Sequence, residues 1–489
     1  MKWILSRIEW TLVLAGFCLL LLQFFMIREL TALLRGTEVV ILLVTLAYFS
    51  GYSVGYGVAG RLSQQQVKKL ALVAWLVHLT LPFSFRYVGG LIIPKAAGAG
   101  LVTLLFLSSF ALSAFYSILL PRFIDQARDG HDSLPRYYGL EIAGAVMGLL
   151  TLFLVGHIPV AVPFLYQAAL ATVVGLLWWR PFTWFLTTAG LLAYILAYRP
   201  LEQHSLWYRF ATIHAFRDHQ ILYSVNSIYQ KVDILRNRKG HPYIYLDGLK
   251  YFGSKALSAF NTFLSRLPAR LIQPREALIL GSGSLESVKY VSQFAKHVTT
   301  CELDPAVVTG SRLYLADINQ LDTVRNWTLV INDSKQFLGT TTGRYDLIIA
   351  DVPAPLTIQV GLLHSVEFYR LIKQRLTTNG VVSVCLSGTF SAENETPLTV
   401  AASMLAVFNQ ILIYTPREAQ LSFAIAGNAL PFSRQELAES GKTFGASYMQ
   451  IFDQPEIVKL VNHTPPLSAG NMSFVVRKSW SRLTERFTP

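Results

Sequence analysis

The stretch "LILGSGSLESV", residues 278–288, decides how the second half of the chain is read. Three apolar residues run into Gly281-Ser282-Gly283, and a helical pattern starts at Glu286. A second apolar run, "HVTTCELDPA" at 297–306, ends in Glu302. A buried strand stopping at glycines that permit close backbone approach, with a strand-end carboxylate about 20 residues on, is how a nucleotide-binding sheet begins.

Outward from this loop the pattern alternates. "ALILG" and "HVTTCELD" read as strands, "ESVKYVSQFAK" and "PAVVTGSRLYL" as helices. "WTLVIND", "YDLIIAD", the helix "HSVEFYRLIKQRL" and the strand "GVVSVCLSG" follow, and "TVAASMLAVF", "QILIYT" and "LSFAIAG" extend the series. Such alternation predicts an α/β doubly wound parallel sheet. Its ligands bind at the carboxyl ends of the strands, near the switch in strand order. Gly281, Gly283, Glu302, Asp333 and Asp351 all fall there. Glu302 is placed to accept hydrogen bonds from ribose hydroxyls. Each position taken singly has a plain structural reading: a lone GxG is widespread, and Asp351 could be a strand-end acid capping the next loop. Together, in sheet order, they favour a nucleoside-type ligand. A dinucleotide fingerprint would want glycine where Glu286 stands, and a carboxylate at a helix start would repel pyrophosphate. An adenosyl ligand without phosphate meets no such objection, and the rhythm after "YDLIIAD" is that of the class I methyltransferase-like fold.

Upstream the texture changes. The chain has 489 residues, 15% of them charged, and a mean hydropathy of +0.41, against about a quarter charged for a soluble protein. Residues 1–199 contain apolar stretches near 10–27, 38–60, 70–93, 97–120, 139–162, 163–179 and 182–198. A span takes about 20 apolar residues, which predicts about seven transmembrane helices. The first is no cleaved signal peptide, since it lacks a small-residue cleavage site and leads into further spans. Gly51, Gly55 and Gly60, then Gly144 and Gly148, have the spacing that lets helix backbones approach closely. They permit a homo-oligomer without requiring one. Gln23, His78, Glu141, His157 and Gln167 are the polar residues read within the spans. They are interfacial or hydrogen-bonded between helices, or they line a path.

Net charge is +13, with no basic run that would argue for nucleic acid. Basic residues collect before the first span (Lys2, Arg7), after the second (Arg61, Lys68, Lys69) and after the fourth (Arg122, Arg128, Arg136). Positive charge marks the cytoplasmic side. We expect a multi-pass inner-membrane protein with a cytoplasmic soluble domain, whereas this charge distribution with seven spans argues for the opposite side. Cys18, Cys301 and Cys385 form no CxxC pair and read as buried thiols. His241 and His364 lie near the expected cleft without a second ligand at metal spacing, so no metal is expected. Residues 221–252 contain short β-rich runs broken at "NRKG", a small hairpin region. The expected divisions are a transmembrane domain at 1–199, a linker and hairpin region at 200–270, a Rossmann-like adenosyl-binding domain at 271–430, and a C-terminal extension at 431–489.

Taken in order, "SIYQKVDI", "YIYLDG", "ALILGSGS", "VTTCELDPAVV", "INDSKQFL", "RYDLIIADVPAP", "EFYRLIKQRLTTNGVVSV" and "HTPP" resemble the spermidine synthases (polyamine aminopropyltransferases), in their membrane-fused bacterial form. The resemblance covers most of the chain. It implies that Gln230 contacts the adenosyl moiety, Glu302 the ribose and Asp333 the adenine amino group, and that Asp351 is the base that deprotonates the attacking amine. It implies an S-adenosylmethionine or decarboxylated S-adenosylmethionine donor. The departures are specific. The family loop carries an Asp that grips the amine end of the donor, and Ser284 stands there. The second Asp of the family's catalytic segment is Ala354. The residues that hold the polyamine are replaced by Tyr251, Ala256, Leu257, Phe260 and Thr262. Losing three or four charge-assisted hydrogen bonds of about 1.5–3 kcal/mol each weakens polyamine binding by several orders of magnitude. The acceptor side, with Leu249, Tyr251, Leu257, Phe260, Pro353 and Pro355, looks apolar and suits a membrane-proximal acceptor. The expected function is an aminopropyl or methyl transferase. The competing readings are a non-catalytic adenosyl sensor or membrane scaffold and, with least support, a transporter role for the helices.

Overall fold

A computed structural model describes residues 5–34, 36–95, 99–126, 130–156, 158 and 160–484. Lys2, Arg128 and His157 lie outside the described residues, as do the side chains of residues 252–256, Ala256 among them. The chain forms two compact units. The first comprises residues 1–238, 245–249 and 480–489, the second residues 239–244 and 250–479.

The first unit opens with eight helices: α1 (Arg7–Leu33), α2 (Glu38–Ala59), α3 (Gln64–His78), α4 (Phe83–Ile92), α5 (Ala99–Gln126), α6 (Gly130–Val155), α7 (Ala161–Trp178) and α8 (Pro181–Ile213). A capping box starts α1: the Ser6 amide donates to Glu9 Oε2 at 2.6 Å and the Glu9 amide to Ser6 Oγ at 3.3 Å, satisfying donors that the first turn leaves open. Among the described residues six helices are long and apolar enough to cross a membrane, or seven if α3 and α4, bent by 71° at their break, count as one span. This is the make-up of a multi-pass membrane protein. Large apolar side chains on these helices, such as Phe182 at 73% and Leu196 at 80% exposure, face outward. In water such a surface would aggregate; in lipid it is solvated.

Of the spaced glycines, Gly51, Gly55 and Gly144 meet neighbouring helices closely, whereas a Cβ on Gly60, just past α2, would have nothing within 4 Å among the described residues, so Gly60 seats no helix. A Cβ on Gly144 would stand 1.9 Å from the Val13 carbonyl oxygen, and one on Gly55 1.8 Å from Ser117 Oγ. Gly51 and Gly55 therefore seat α2 on α5, and Gly144 seats α6 on α1. Their close packing gives no support to a contact with a second copy. Polar side chains in the spans are matched across helices: the Tyr56 hydroxyl donates to Glu141 Oε2 at 3.0 Å, Gln167 Nε2 to the His78 carbonyl at 2.7 Å, and His78 Nδ1 meets the Tyr166 hydroxyl. The hydrogen-bonded reading holds for His78, Glu141 and Gln167. One ion pair was missed. Arg86, which interrupts the 70–93 stretch, lies buried and forks onto Glu29 at 2.9 and 2.8 Å, with Glu202 at 2.6 Å. Glu29 lies beyond the 10–27 run but inside α1, and only its partner explains its burial. After α8, strands β1 (His219–Asn226) and β2 (Lys231–Asn237) pair antiparallel, and β3 (Pro242–Leu246) and β4 (Leu249–Gly253) follow.

The second unit is built on an eight-stranded sheet. Its strands are β5 (Glu276–Gly281), β6 (His297–Glu302), β7 (Trp327–Ile331), β8 (Tyr345–Asp351), β9 (Leu376–Cys385), β10 (Gln410–Pro416), β11 (Phe423–Gly427) and β12 (Met449–Phe452), in the order β12-β10-β11-β9-β8-β5-β6-β7. From β9 to β7 neighbours are parallel, while β11, β10 and β12 run antiparallel. The expected parallel sheet is thus a mixed one. The apolar run of β5 is buried on both faces, as crossover helices on either side require. Leu278 and Leu280 join one core with Ile348 and Ala350; Ala277 and Ile279 join the other with Leu347 and Ile349. That alternation is the two-residue period of a strand. β5 leads to β6 and β7 on one side and lies beside β8 on the other, so strand order switches between β5 and β8. The loop after β5 and the end of β8 flank the crevice that such a switch creates.

Candidate active site

The loop after β5 is backbone-driven. Gly281 sits at φ +87°, and a Cβ there would stand 2.2 Å from the Asp351 carbonyl oxygen. Ser282 follows at φ +78° and Leu285 at φ +60°. Non-glycine residues in this region are costly and persist where the surroundings impose them, most often at ligand sites. The turn is tied down on all sides. The Ser282 amide reaches the Asp351 carbonyl at 3.4 Å, Ser311 Oγ donates to the Gly283 carbonyl, and Asn319 Nδ2 to the Ser284 carbonyl at 3.3 Å. Gly283 has an ordinary backbone, and a Cβ there would meet Val307 at 3.5 Å and the Tyr251 ring at 3.7 Å. Ser284 is buried and its Oγ accepts the Glu286 amide at 3.2 Å, so the hydroxyl serves the turn itself.

Asp351 ends β8 directly beside Gly281 in register. It is 4% exposed and its Oδ1 accepts the Tyr251 hydroxyl at 2.9 Å. Burial pushes its carboxyl up to about 6, against the lowering pull of Tyr251 and Ser282. Ser282 Oγ is itself buried without a full hydrogen bond among the described residues. Glu302 ends β6, one strand beyond β5. Burial pushes its carboxyl up to about 7; the amides of Leu303 and Asp304, which donate to Oε1 at 3.0 and 3.2 Å, pull down, and the charges of Asp304 and Asp351 push up. Glu302 and Asp351 are therefore close enough to feel each other, and no cation is among the groups that shift either of them. Carboxyls at about 6 and about 7 titrate close to neutrality, and their ionised forms favour a hydrogen-bond-donating or cationic guest.

Asp333 follows β7 and caps the helix Ser334–Thr340: its Oδ1 accepts the Lys335 and Gln336 amides at 2.8 and 3.0 Å. It sits at the same end of the sheet as Glu302, whose carbonyl accepts the Asn332 amide at 3.1 Å. Gln230 belongs to the other compact unit, in the β1–β2 turn, where its carbonyl accepts Ser227 Oγ at 3.0 Å. Within the second unit the sheet thus groups Gly281, Gly283, Ser284, Glu302, Asp333 and Asp351 along one edge.

Several expectations change. Glu286 does not project a bare carboxylate at the helix start. It is buried and engaged by Asn261 Nδ2 at 2.9 Å, the Tyr290 hydroxyl at 3.1 Å and Lys289 Nζ at 3.2 Å, so it carries no argument against phosphate. The helix it starts ends at Val291 instead of running to Lys296. Tyr251 is not apolar lining, because its hydroxyl holds Asp351. Nor does Phe260 line a pocket: its ring packs on Phe423 in the sheet core, 5.7 Å between centroids, and Leu257 is 1% exposed. Sequence reasoning also passed over the role of His364. It is buried and its Nε2 meets the Pro353 carbonyl at 2.8 Å, fixing the segment after Asp351, and burial pushes its imidazole down to about 4, so it is a neutral positioning group. Cys301 and Cys385 are buried, their thiols pushed up to about 12 by burial, and are inert at neutral pH.

Residues 258–424 match the family model of the spermine/spermidine synthase domain. A polyamine aminopropyltransferase of Oceanobacillus iheyensis is 32% identical over 170 residues, 34% of this chain and 33% of that protein. The match therefore spans about a third of that relative's length. A polyamine aminopropyltransferase of Thermoplasma acidophilum is 24% identical over 254 residues, 50% of this chain and 92% of that one. Among solved structures, spermidine synthase from Thermotoga maritima is 20% identical, with a TM-score of 0.40 over 53% of this chain and 87% of that one.

Proposed function

We propose that this chain, homologous through its second half to the polyamine aminopropyltransferases, is a membrane-anchored transferase. Its donor is of the S-adenosylmethionine type, and its acceptor is a nucleophile presented near the membrane. In the reaction the acceptor nitrogen attacks the donor carbon bonded to the sulfonium sulfur. The C–S bond breaks, its electron pair neutralises the sulfur to a thioether, and the nitrogen's proton passes to Asp351. A carboxyl held at about 6 is largely ionised at pH 7.5 and is a stronger base than an exposed Asp. Glu302 takes the ribose, the loop at Gly281 and Gly283 lets the donor approach the backbone, and Asp333 takes the adenine side. The observation that carries the reading is the close backing of Gly281 on Asp351 at the strand switch, with the uncompensated carboxyl of Glu302 one strand away.

Calorimetry with S-adenosylmethionine, its decarboxylated form and methylthioadenosine tests it. Binding of none of the three sinks the reading. A second reading, a ligand sensor without turnover, is favoured by one contact: where the family resemblance implies a polyamine-holding residue, the Tyr251 hydroxyl occupies Asp351. Tight binding with no thioether product from any amine would select it. The catalytic reading also requires the soluble unit on the side where adenosyl donors are made. A reporter fused after Pro489 that is active only outside the cytoplasm would remove the catalytic reading.

The raised carboxyl of Glu302 gives binding a definite pH dependence. Ribose hydroxyls donate to the ionised form, so binding lowers its affinity for protons and expels one near pH 7. The affinity for methylthioadenosine should rise by up to about tenfold per pH unit below 7 and level off above. Glu302→Gln should weaken it about 10–100-fold and flatten that dependence. Titrations in two buffers of different ionisation enthalpy read the proton directly. A pH-independent wild-type affinity would remove Glu302 from the ribose.

A further inference from the structure

The first unit holds an open cavity of about 660 Å³, in the range of small-molecule sites. Its walls come from α1, α4, α7, α8, β1 and β2 and carry both apolar and charged side chains. Phe25, Pro163, Phe164 and Ile195 contribute apolar lining; Arg86, Arg199, Glu202, Asn226 and Lys231 contribute polar lining. Arg86 is already forked onto Glu29 and bound to Glu202. Lys231 is not so well provided. It is 1% exposed, yet its ammonium makes one long hydrogen bond, 3.4 Å to Asn226 Oδ1, and an ion contact of 3.7 Å to the same Glu29. An ammonium has three donors and is costly to bury half-satisfied. Arg199 is exposed and makes no ion pair among the described residues. The cations in this lining outnumber the carboxylates.

The level of the cavity in the membrane follows from α8. It begins at Pro181, just after Trp178, Trp179 and Arg180, residue types that favour the membrane–water boundary. About 20 residues then cross the hydrocarbon, which places the far boundary near Leu201. Ile195–Trp207, the part of α8 that lines the cavity, straddles that boundary. On the hydrocarbon side Ile195 and Leu196 are exposed apolar residues, at 42% and 80%. An occupant with an acyl chain on that side and an anion on the other matches both the depth and the charge.

We propose that this cavity is a site for an anionic phospholipid, its phosphate completing the coordination of Lys231 and facing Arg199, its acyl chain lying along Phe25, Phe164 and Ile195. The full chain in phosphatidylcholine nanodiscs is titrated with phosphatidylglycerol brominated on its acyl chains, and tryptophan fluorescence is read. Trp207 lines the cavity and is 42% exposed. Anionic lipid should quench a saturable fraction of the emission, and Trp207→Phe should remove that fraction. Lys231→Met should weaken the apparent affinity at least about tenfold, and Arg199→Gln, a change at an exposed position, should act in the same direction with an unchanged melting temperature. Equal quenching by brominated phosphatidylcholine would mean ordinary boundary lipid and overturn the proposal. Displacement of the lipid by millimolar inorganic phosphate would identify a free-phosphate site and overturn it too. Loss of affinity in Lys231→Met alone, with a fall in melting temperature and no effect of Arg199→Gln, would assign Lys231 a structural role only.

Discussion

Gly281→Ala should be the most damaging single-methyl change in the soluble unit. The backbone at φ +87° costs an alanine about 1–2 kcal/mol, and the new Cβ would meet the Asp351 carbonyl oxygen at 2.2 Å. That partner is backbone at the end of a central strand, so it cannot turn aside as a flexible side chain would. Overpacking of this kind adds about 1–3 kcal/mol. A total of roughly 3 kcal/mol is a large share of the 5–15 kcal/mol that holds a domain together, and it should lower the melting temperature by several degrees. Gly283→Ala is the contrast. Its backbone is ordinary and its Cβ would find contacts at 3.5 Å and beyond. Its stability should change little, while methylthioadenosine binding is lost, because a methyl there occupies the space a ligand needs. Equal destabilisation by the two substitutions would contradict the separate roles given to them.

Asp351→Asn should leave methylthioadenosine binding intact and lower turnover about 10²–10⁴-fold, the usual worth of a positioned base. The amide preserves shape and can still accept the Tyr251 hydroxyl, but takes no proton. On the proposed function, the turnover rate of the unaltered protein should rise with pH through about 6, as Asp351 loses its proton, and then level off. Tyr251→Phe removes a hydrogen bond that favours the ionised carboxylate. The sign is therefore fixed: the raised carboxyl rises further and the acidic limb moves to higher pH. A limb that stays in place in Tyr251→Phe, with thioether release as the readout, would mean that another group titrates. Unchanged turnover in Asp351→Asn would remove the residue from the chemistry altogether.

Much of the site was legible because strands and their ends are local features. "ALILG" has the continuous apolar run of a strand buried on both faces, and glycine after it is a local requirement of the turn. Glu302, Asp333 and Asp351 each close an apolar run, so their placement at one sheet edge follows once the strands are parallel. Long-range partners were not legible. Nothing near Tyr251 in sequence announces that its hydroxyl meets a carboxylate 100 residues away. Glu286 looked like an exposed helix-start acid until Asn261, Tyr290 and Lys289 closed around it. Arg86 looked like an interruption of a span, and Glu29 went unnoticed, because each is tolerable only in the presence of the other.

Hydrophobic period and chain length on their own established a lipid-embedded helical part followed by an α/β sheet, since the cost of exposing apolar surface or of leaving backbone groups unpaired depends on local pattern alone. Which strands became neighbours, that the sheet turned antiparallel beyond β9, and which buried charge met which partner were decided by tertiary structure. These choices rest on contacts between residues far apart in the chain, whose worth depends on burial and geometry that no local pattern specifies.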